Sequence, residues 1–170
     1  MVTVYIGIGS NIEPGKHIAK GLELLSQAFP SIIFSPQFES EAIGFKGDNF
    51  INLVARFDVA GEINEQKEGV LESLDKLILQ LKAIENQLGR KRSDQKFSAR
   101  NIDIDILLYG ELVIASPIEL PRSEILENAY VLWPLAELAP TLVHPGSNKT
   151  YTEFWMEFDK SSQKLTPVVA

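Results

Sequence analysis

Arg100-Asn101-Ile102-Asp103-Ile104-Asp105-Ile106-Leu107-Leu108-Tyr109-Gly110 is the stretch on which the architecture turns. Ile102, Ile104, Ile106 and Leu108 recur at every second position, the period of a pleated strand, so they are expected to face one core together. Asp103 and Asp105 then project side by side from the opposite face. Tyr109-Gly110-Glu111 reads as a turn, and Leu112-Val113-Ile114 as a hairpin arm returning from it.

Working outward from this strand, Val2 to Ile8 is a second one, with Val4, Ile6 and Ile8 on one face and Thr3, Tyr5 and Gly7 on the other. Pro14 suits a first helical turn, and Ile18, Leu22, Leu25 and Phe29 keep helical spacing until Pro30. Ile32 to Ser40 reads as extended despite Pro36, Gly44 to Asn49 as a loop, and Phe50 to Val59 as a strand. Between Glu65 and Leu88 an apolar stripe of helical period predicts a long helix, with Gly89 as its C-terminal stop. Arg90 to Ala99 reads as a surface loop, Ile125 to Leu138 as containing a short helix, and Tyr151 to Phe158 as a short amphipathic helix before a fraying tail. The order β-α-β-β-α-β predicts an α+β, ferredoxin-like two-layer sandwich over residues 1–170. Its antiparallel sheet has helices on one face, plus an extra hairpin and C-terminal elements.

The chain has 170 residues, 45% apolar and 23% charged, enough for one domain to bury a core without staples. It has no cysteine, which excludes a disulfide framework, a thiolate nucleophile and a cysteine-type zinc site. Sixteen basic side chains against 23 acidic ones give a net charge of −7, which argues against nucleic-acid or anionic-lipid partners. Met1 to Ile8 lacks the basic region and apolar length of a signal peptide, and no window approaches the ~20 apolar residues of a membrane span. A cytoplasmic monomer is expected.

Two adjacent like charges repel, so Asp103 and Asp105 are expected to need a cation. Hard oxygen ligands on a rigid strand suit Mg²⁺, which takes few protein carboxylates and completes its shell with water and phosphate. A solvated strand face with two ordinary aspartates is the other reading of the same alternation. Arg90, Lys91, Arg92, Lys96 and Arg100 place five cations within eleven residues just before the aspartates. Carboxylates for a metal beside guanidinium groups for phosphate oxygens are what a metal–nucleotide site requires, although Arg90 to Arg92 also fit a solvated run at a helix end. Phe50 and Asn52 share one strand face and, with Tyr130, form an aromatic and amide group suited to a flat heteroaromatic ligand. A buried Phe beside a sheet Asn would look the same. Gly7-Ile8-Gly9-Ser10-Asn11 is neither a dinucleotide fingerprint nor a phosphate loop and reads as a strand-to-loop turn. His17 and His144 read as surface or packing residues, and Trp133 and Trp155 as core or edge anchors.

Taken in order, YIGIGSN (5–11), NFINLVARF (49–57), IENQLGR (84–90), RNIDIDILLYG (100–110) and VLWPLAELAP (131–140) followed by HPG resemble the 6-hydroxymethyl-7,8-dihydropterin pyrophosphokinase family over nearly the whole chain. The resemblance implies a ferredoxin-like fold and transfer of the terminal pyrophosphoryl group of ATP, the co-substrate, to the pterin hydroxymethyl oxygen in folate biosynthesis. It implies two Mg²⁺ ions on Asp103 and Asp105. Arg90, Arg92 and Arg100 then serve beside them as catalytic phosphate contacts, and Glu85, Phe97, Ile106 and Arg122 complete the ATP site. For the pterin it implies a sandwich between Phe50 and Tyr130, an edge hydrogen bond from Asn52, and polar contacts at Ser40, Glu41 and Ile43.

Three positions depart from the family pattern: Arg122 stands where a His is usual, Ser123 where a Tyr is common, and Asn128 in place of an Arg. Two alternatives keep the same residues. One is a kinase or nucleotide hydrolase; the other is a non-catalytic ferredoxin-like module that binds a nucleotide or a pterin. The aromatic pair on a basic sheet surface that RNA recognition by this topology needs is not evident.

Overall fold

Apolar alternation at Val2, Val4, Ile6 and Ile8 becomes β1 (Val2–Ser10) in the computed structural model, which describes residues 1–41, 49–61, 67–89 and 101–169, without the side chains of 67 and 68. The chain continues through α1 (Pro14–Ala28), β2 (Ile33–Phe34), β3 (Phe38–Ser40), β4 (Phe50–Val59), α2 (Lys67–Gln87) and β5 (Asp103–Tyr109). It ends with α3 (Glu124–Glu127), α4 (Ala129–Leu138), α5 (Tyr151–Glu157) and β6 (Leu165–Pro167). The sheet order is β5-β1-β4-β3-β6, with β2 also on β4, and every pairing is antiparallel. This is the expected α+β, ferredoxin-like arrangement.

Helices α1 and α2 seal one sheet face. Ile18 and Leu25 of α1, with Leu74, Leu77 and Leu81 of α2, close over Val4, Ile6, Ile8, Ile102, Ile104 and Ile106. Each such side chain stabilises the fold by roughly 1.5–3 kcal/mol when fully buried, so this layer is the main driving force. Gly89 ends α2 with φ of +99°, and a Cβ there would stand 2.5 Å from Asn101 Nδ2; conformation and space both require glycine. Asn101 Nδ2 donates to the Leu88 carbonyl at 2.6 Å, and the Ser10 hydroxyl donates to the Asn101 carbonyl. The ends of β1 and α2 are thereby tied together just upstream of Asp103.

Four expectations change. Leu108 does not share the isoleucine face: Tyr5 pairs with Leu108 but Ile6 with Ile106, so Leu107 is an extra residue in β5. A bulge of this kind shifts the alternation, and Leu107 and Leu108 both join the opposite layer. Leu112–Ile114 does not return along β5; Ile114 exchanges two 2.9 Å backbone hydrogen bonds with Leu120, closing a small hairpin of its own. Gly7 to Ser10 belongs to β1 rather than to a turn. The tail, expected to fray, forms β6 at the sheet edge. The expected basic loop over 90–99 and most of the 44–49 loop lie outside the described residues.

The C-terminal third adds a partial layer on the other face, where Val131, Leu132 and Leu135 of α4 pack on Tyr5, Val54, Leu107 and Leu108. The helix expected within Ile125–Leu138 is split at Asn128 into α3 and α4. Trp133 stacks between Phe38, with ring centres 4.6 Å apart, and Trp155, at 5.0 Å; Phe158 extends the stack beyond Trp155 at 5.7 Å. Among the described residues no helix is long and apolar enough to cross a membrane.

Tyr151 of α5 is fully buried and its hydroxyl lies 2.7 Å from His144 Nδ1. Burial lowers the His144 pKa below its ordinary 6.5, so below that pH the unfolded chain binds the extra proton that the folded chain refuses. The stabilising contribution is complete above the ordinary pKa and is lost as pH falls through it toward the folded value. Thermal midpoints should therefore drop between about pH 7 and pH 5, and His144→Gln should flatten part of that slope in a calorimetric pH series. A slope identical to the parent's would remove His144 as its source.

Candidate active site

Directly opposed residues of antiparallel strands present their side chains on the same face, and the register of three strands builds the site from that rule. One row across the sheet reads Asp105, Gly7, Val54; the next reads Asp103, Gly9, Asn52, Phe38. Asp103 and Asp105 therefore have glycines as their cross-strand neighbours, and two strand spacings, about 10 Å, separate Asp103 from Asn52, with the Leu107 side chain over Gly7. A Cβ on Gly9 would come within 2.7 Å of Asn52 Oδ1.

Over this face opens a cavity of about 820 Å³, lined on the β5 side by Asp103 and Asp105 and on the β3–β4 side by Ser40, Glu41, Phe50 and Asn52, with Tyr130 from α4. Its size fits a small-molecule site. Asn52 is buried, and its amide Nδ2 donates to Ser40 Oγ at 3.3 Å. Tyr130 Oη accepts a 2.8 Å hydrogen bond from Asn128 Nδ2, so a position that departs from the family pattern supports one of the expected aromatic contacts. The structure thus gathers both aspartates and five of the six expected pterin contacts around one cavity; Ile43 lies outside the described residues.

Of the expected ATP residues, the structure describes Glu85, Ile106 and Arg122. Arg122 Nε donates to the Ile106 carbonyl at 3.0 Å, and its Nη2 lies 3.9 Å from Asp105 Oδ1. Asp105 is half exposed, so this pair contributes about 0–1 kcal/mol and its chief effect is to hold a cation beside the carboxylate. Arg122 also borders a second cavity of about 620 Å³, with Glu119, Leu120 and His144. The Ile106 side chain is in the core, which leaves its backbone as the only part facing Arg122. Glu85 does not line the large cavity: it is buried against β5, where its Oε1 accepts the Ile104 N–H at 3.3 Å. Arg90, Arg92, Phe97 and Arg100 lie outside the described residues.

Glu124, unremarked in the sequence reading, lines the large cavity as well. Burial raises its pKa most, the Asp105 carboxylate raises it further, and Arg122 partly offsets both. The Tyr130 hydroxyl is likewise pushed up, first by burial and then by Glu124, Asp105 and Asp103. Among the described residues, Asp103, Asp105 and Glu124 gather negative charge at this end of the cavity, which favours a cation beside the aspartates. Among the described residues no group of three His, Asp or Glu side chains could enclose a metal. Two same-face carboxylates on a rigid strand are nevertheless the donor set that Mg²⁺ accepts when water and phosphate supply the rest, and the field in the cleft agrees with that fit. Gly7 and Gly9 could have been recognised from their period-two spacing on the Tyr5 face; nothing local announced Glu124 or Asn128.

The sequence pattern of the 7,8-dihydro-6-hydroxymethylpterin-pyrophosphokinase (HPPK) family matches residues 5–140. A 2-amino-4-hydroxy-6-hydroxymethyldihydropteridine pyrophosphokinase of Aquifex aeolicus is 34% identical over 157 residues, covering 91% of each chain. One from Haemophilus influenzae is 31% identical over 173 residues, 98% of this chain and 100% of that one. Among solved structures, an HPPK-DHPS in complex with substrates aligns with a TM-score of 0.68 at 13% identity, over 94% of this chain and 44% of that one. Plasmodium falciparum HPPK-DHPS A437G aligns with a TM-score of 0.67 at 12% identity, over 92% and 45%. This chain spans under half of those longer chains, and their likeness concerns the fold. The two relatives match over 91% and 98% of this chain, the pattern covers residues 5–140, and the chain belongs to the 7,8-dihydro-6-hydroxymethylpterin-pyrophosphokinase family.

Proposed function

We propose that the cleft transfers the terminal pyrophosphoryl group of ATP to the hydroxymethyl oxygen of 6-hydroxymethyl-7,8-dihydropterin, giving AMP and the pterin diphosphate. The observation that carries this reading is the presence of an aspartate pair and an aromatic and amide group on one sheet face around one cavity, with Gly7 and Gly9 between them. Phe50 and Tyr130 stack on the pterin, while Asn52 and Ser40 meet its polar edge. A flat ligand lacking that edge would leave buried groups unpaired, which is a strong source of discrimination. Ring and hydroxymethyl group then lie along this face, the latter toward Asp103.

Asp103 and Asp105 hold Mg²⁺, which when bound supplies neutralisation of phosphate charge and alignment of the attacking oxygen. The strand keeps both carboxylates in place before substrate arrives, so no reorganisation is needed at the moment of transfer. Tyr130 remains protonated because the cavity disfavours its anion, which leaves its ring an uncharged stacking surface. Arg90, Arg92 and Arg100 grip the phosphates, with Phe97 over the nucleotide. Arg122 adds a guanidinium beside Asp105, and Glu85 acts from behind β5 by holding the Ile104 backbone. The same reading makes the chain a monomeric cytoplasmic enzyme whose partners are its two small-molecule substrates.

With Mg²⁺, ATP and the pterin, chromatography should show AMP accumulating in step with pterin diphosphate; ADP instead would assign a different transfer. Asp103→Ala and Asp105→Ala should each lower kcat by about 10²–10⁴-fold, the equivalent of several kcal/mol of lost charge stabilisation. Their circular dichroism should match the parent's, and near-parent turnover by either variant would defeat the metal role. Gly9→Ala drives a methyl into the Asn52 amide and should raise the pterin KM about tenfold with little change in the ATP KM. An equal rise in both would place the effect elsewhere.

A further inference from the structure

The tail of the chain carries a residue that reaches back into the cleft. Strand β6 pairs with β3 in the register Ser40 to Leu165, Glu39 to Thr166 and Phe38 to Pro167, and the Val168 N–H donates to the Gln37 carbonyl at 2.9 Å. This pairing brings Ser161, Gln163 and Leu165 to the wall of the large cavity. Gln163 Oε1 accepts the Ala129 N–H at 2.7 Å, and Gln163 Nε2 donates to the Glu127 carbonyl at 2.8 Å.

Both partners are groups that the local chain leaves unmet. The first N–H groups of a helix have no intrahelical acceptor, and Ala129 opens α4 while almost fully buried. Its N-cap residue, Asn128, makes no side-chain cap, and its Nδ2 donates to Tyr130 Oη at 2.8 Å. Gln163 supplies an acceptor for the Ala129 N–H from 34 positions away and grips Glu127, on the far side of Asn128, with its donor. The two bonds bracket the junction that delivers Asn128 and Tyr130 to the cavity.

We propose that Gln163 is a positioning residue for pterin binding: its amide locks the α3–α4 junction so that the Tyr130 ring is preset against the substrate. This rests on the reading of the cleft as a pterin site. Locking the ring before binding removes an ordering cost from association, so the effect falls on affinity rather than on the chemical step.

The test uses the full chain with Gln163→Met, which keeps the length and loses both hydrogen bonds, and Gln163→Glu, which keeps the acceptor for Ala129. Pterin binding is followed by the pterin's own fluorescence, alongside kcat and the ATP KM. Gln163→Met should weaken pterin binding about tenfold, with kcat and ATP KM within about twofold, and Gln163→Glu should recover part of the loss. On a Tyr130→Leu background Gln163→Met should add less than about twofold, since both act through one ring. Pterin binding by Gln163→Met within about twofold of the parent, or losses that multiply fully on the Tyr130→Leu background, overturns the proposal. Should Gln163→Met not fold, Gln163→Glu decides: weakened pterin binding with unchanged ATP KM supports the lock, and parental binding overturns it. A parent that neither binds pterin nor forms AMP takes down the reading of the cleft itself, which is a distinct result from a parent that binds and a variant that binds equally.

Discussion

Everything in the cleft depends on the register between β1 and β5. Gly7 opposes Asp105 and Gly9 opposes Asp103, and because side chains alternate with a period of two, a slip of one residue would bury both carboxylates and expose the isoleucines. The forces that forbid the slip act on the other side of the sheet. Ile102, Ile104 and Ile106 are held under α2, and the Ser10, Asn101 and Leu88 hydrogen bonds fix the end of the strand. The polar site is therefore positioned by the apolar layer behind it, and the glycines leave the space beside the aspartates that Leu107 and Asn52 share.

Alternation and helical spacing made β1, β4, β5, α1 and α2 legible in the sequence, because each records its burial in its own residues. Gly89 was legible for the same reason: its backbone conformation is a local property. The bulge at Leu107, the docking of β6 and the break at Asn128 were not, since each is decided by partners far along the chain. In the site, Asp103, Asp105, Phe50 and Asn52 could be placed on shared strand faces from spacing and Tyr130 grouped with the last two by its chemistry, while Ser40 and Glu41 needed the family resemblance to join them. Glu85, expected near the nucleotide from the resemblance, also accepts the Ile104 N–H of β5, a role that spacing did not announce. Gln163 had no local signature, because its partners lie 34 and 36 positions away.

Charge is distributed with a similar division of labour. The chain carries a net −7, and the described part of the cleft adds Asp103, Asp105 and Glu124 around one cavity. These three carboxylates alone would repel a polyanion, whereas one arriving with divalent cations would bring the charge that they lack. On the proposed reading the carboxylates thereby favour the metal complex of the nucleotide, and Arg122 beside Asp105 tempers the repulsion within the acidic group before that complex arrives.

The aromatic stack through Phe38, Trp133 and Trp155 has an optical consequence. The chain contains two tryptophans, and both sit in that single column on the C-terminal layer, away from the apolar face under α1 and α2. Indole emission is consequently a private gauge of whether this layer is seated, and far-ultraviolet ellipticity reports the sheet and long helices. Should the two signals part company during denaturation, the layer lifts off before the main body melts, and a single all-or-none transition would no longer describe the molecule.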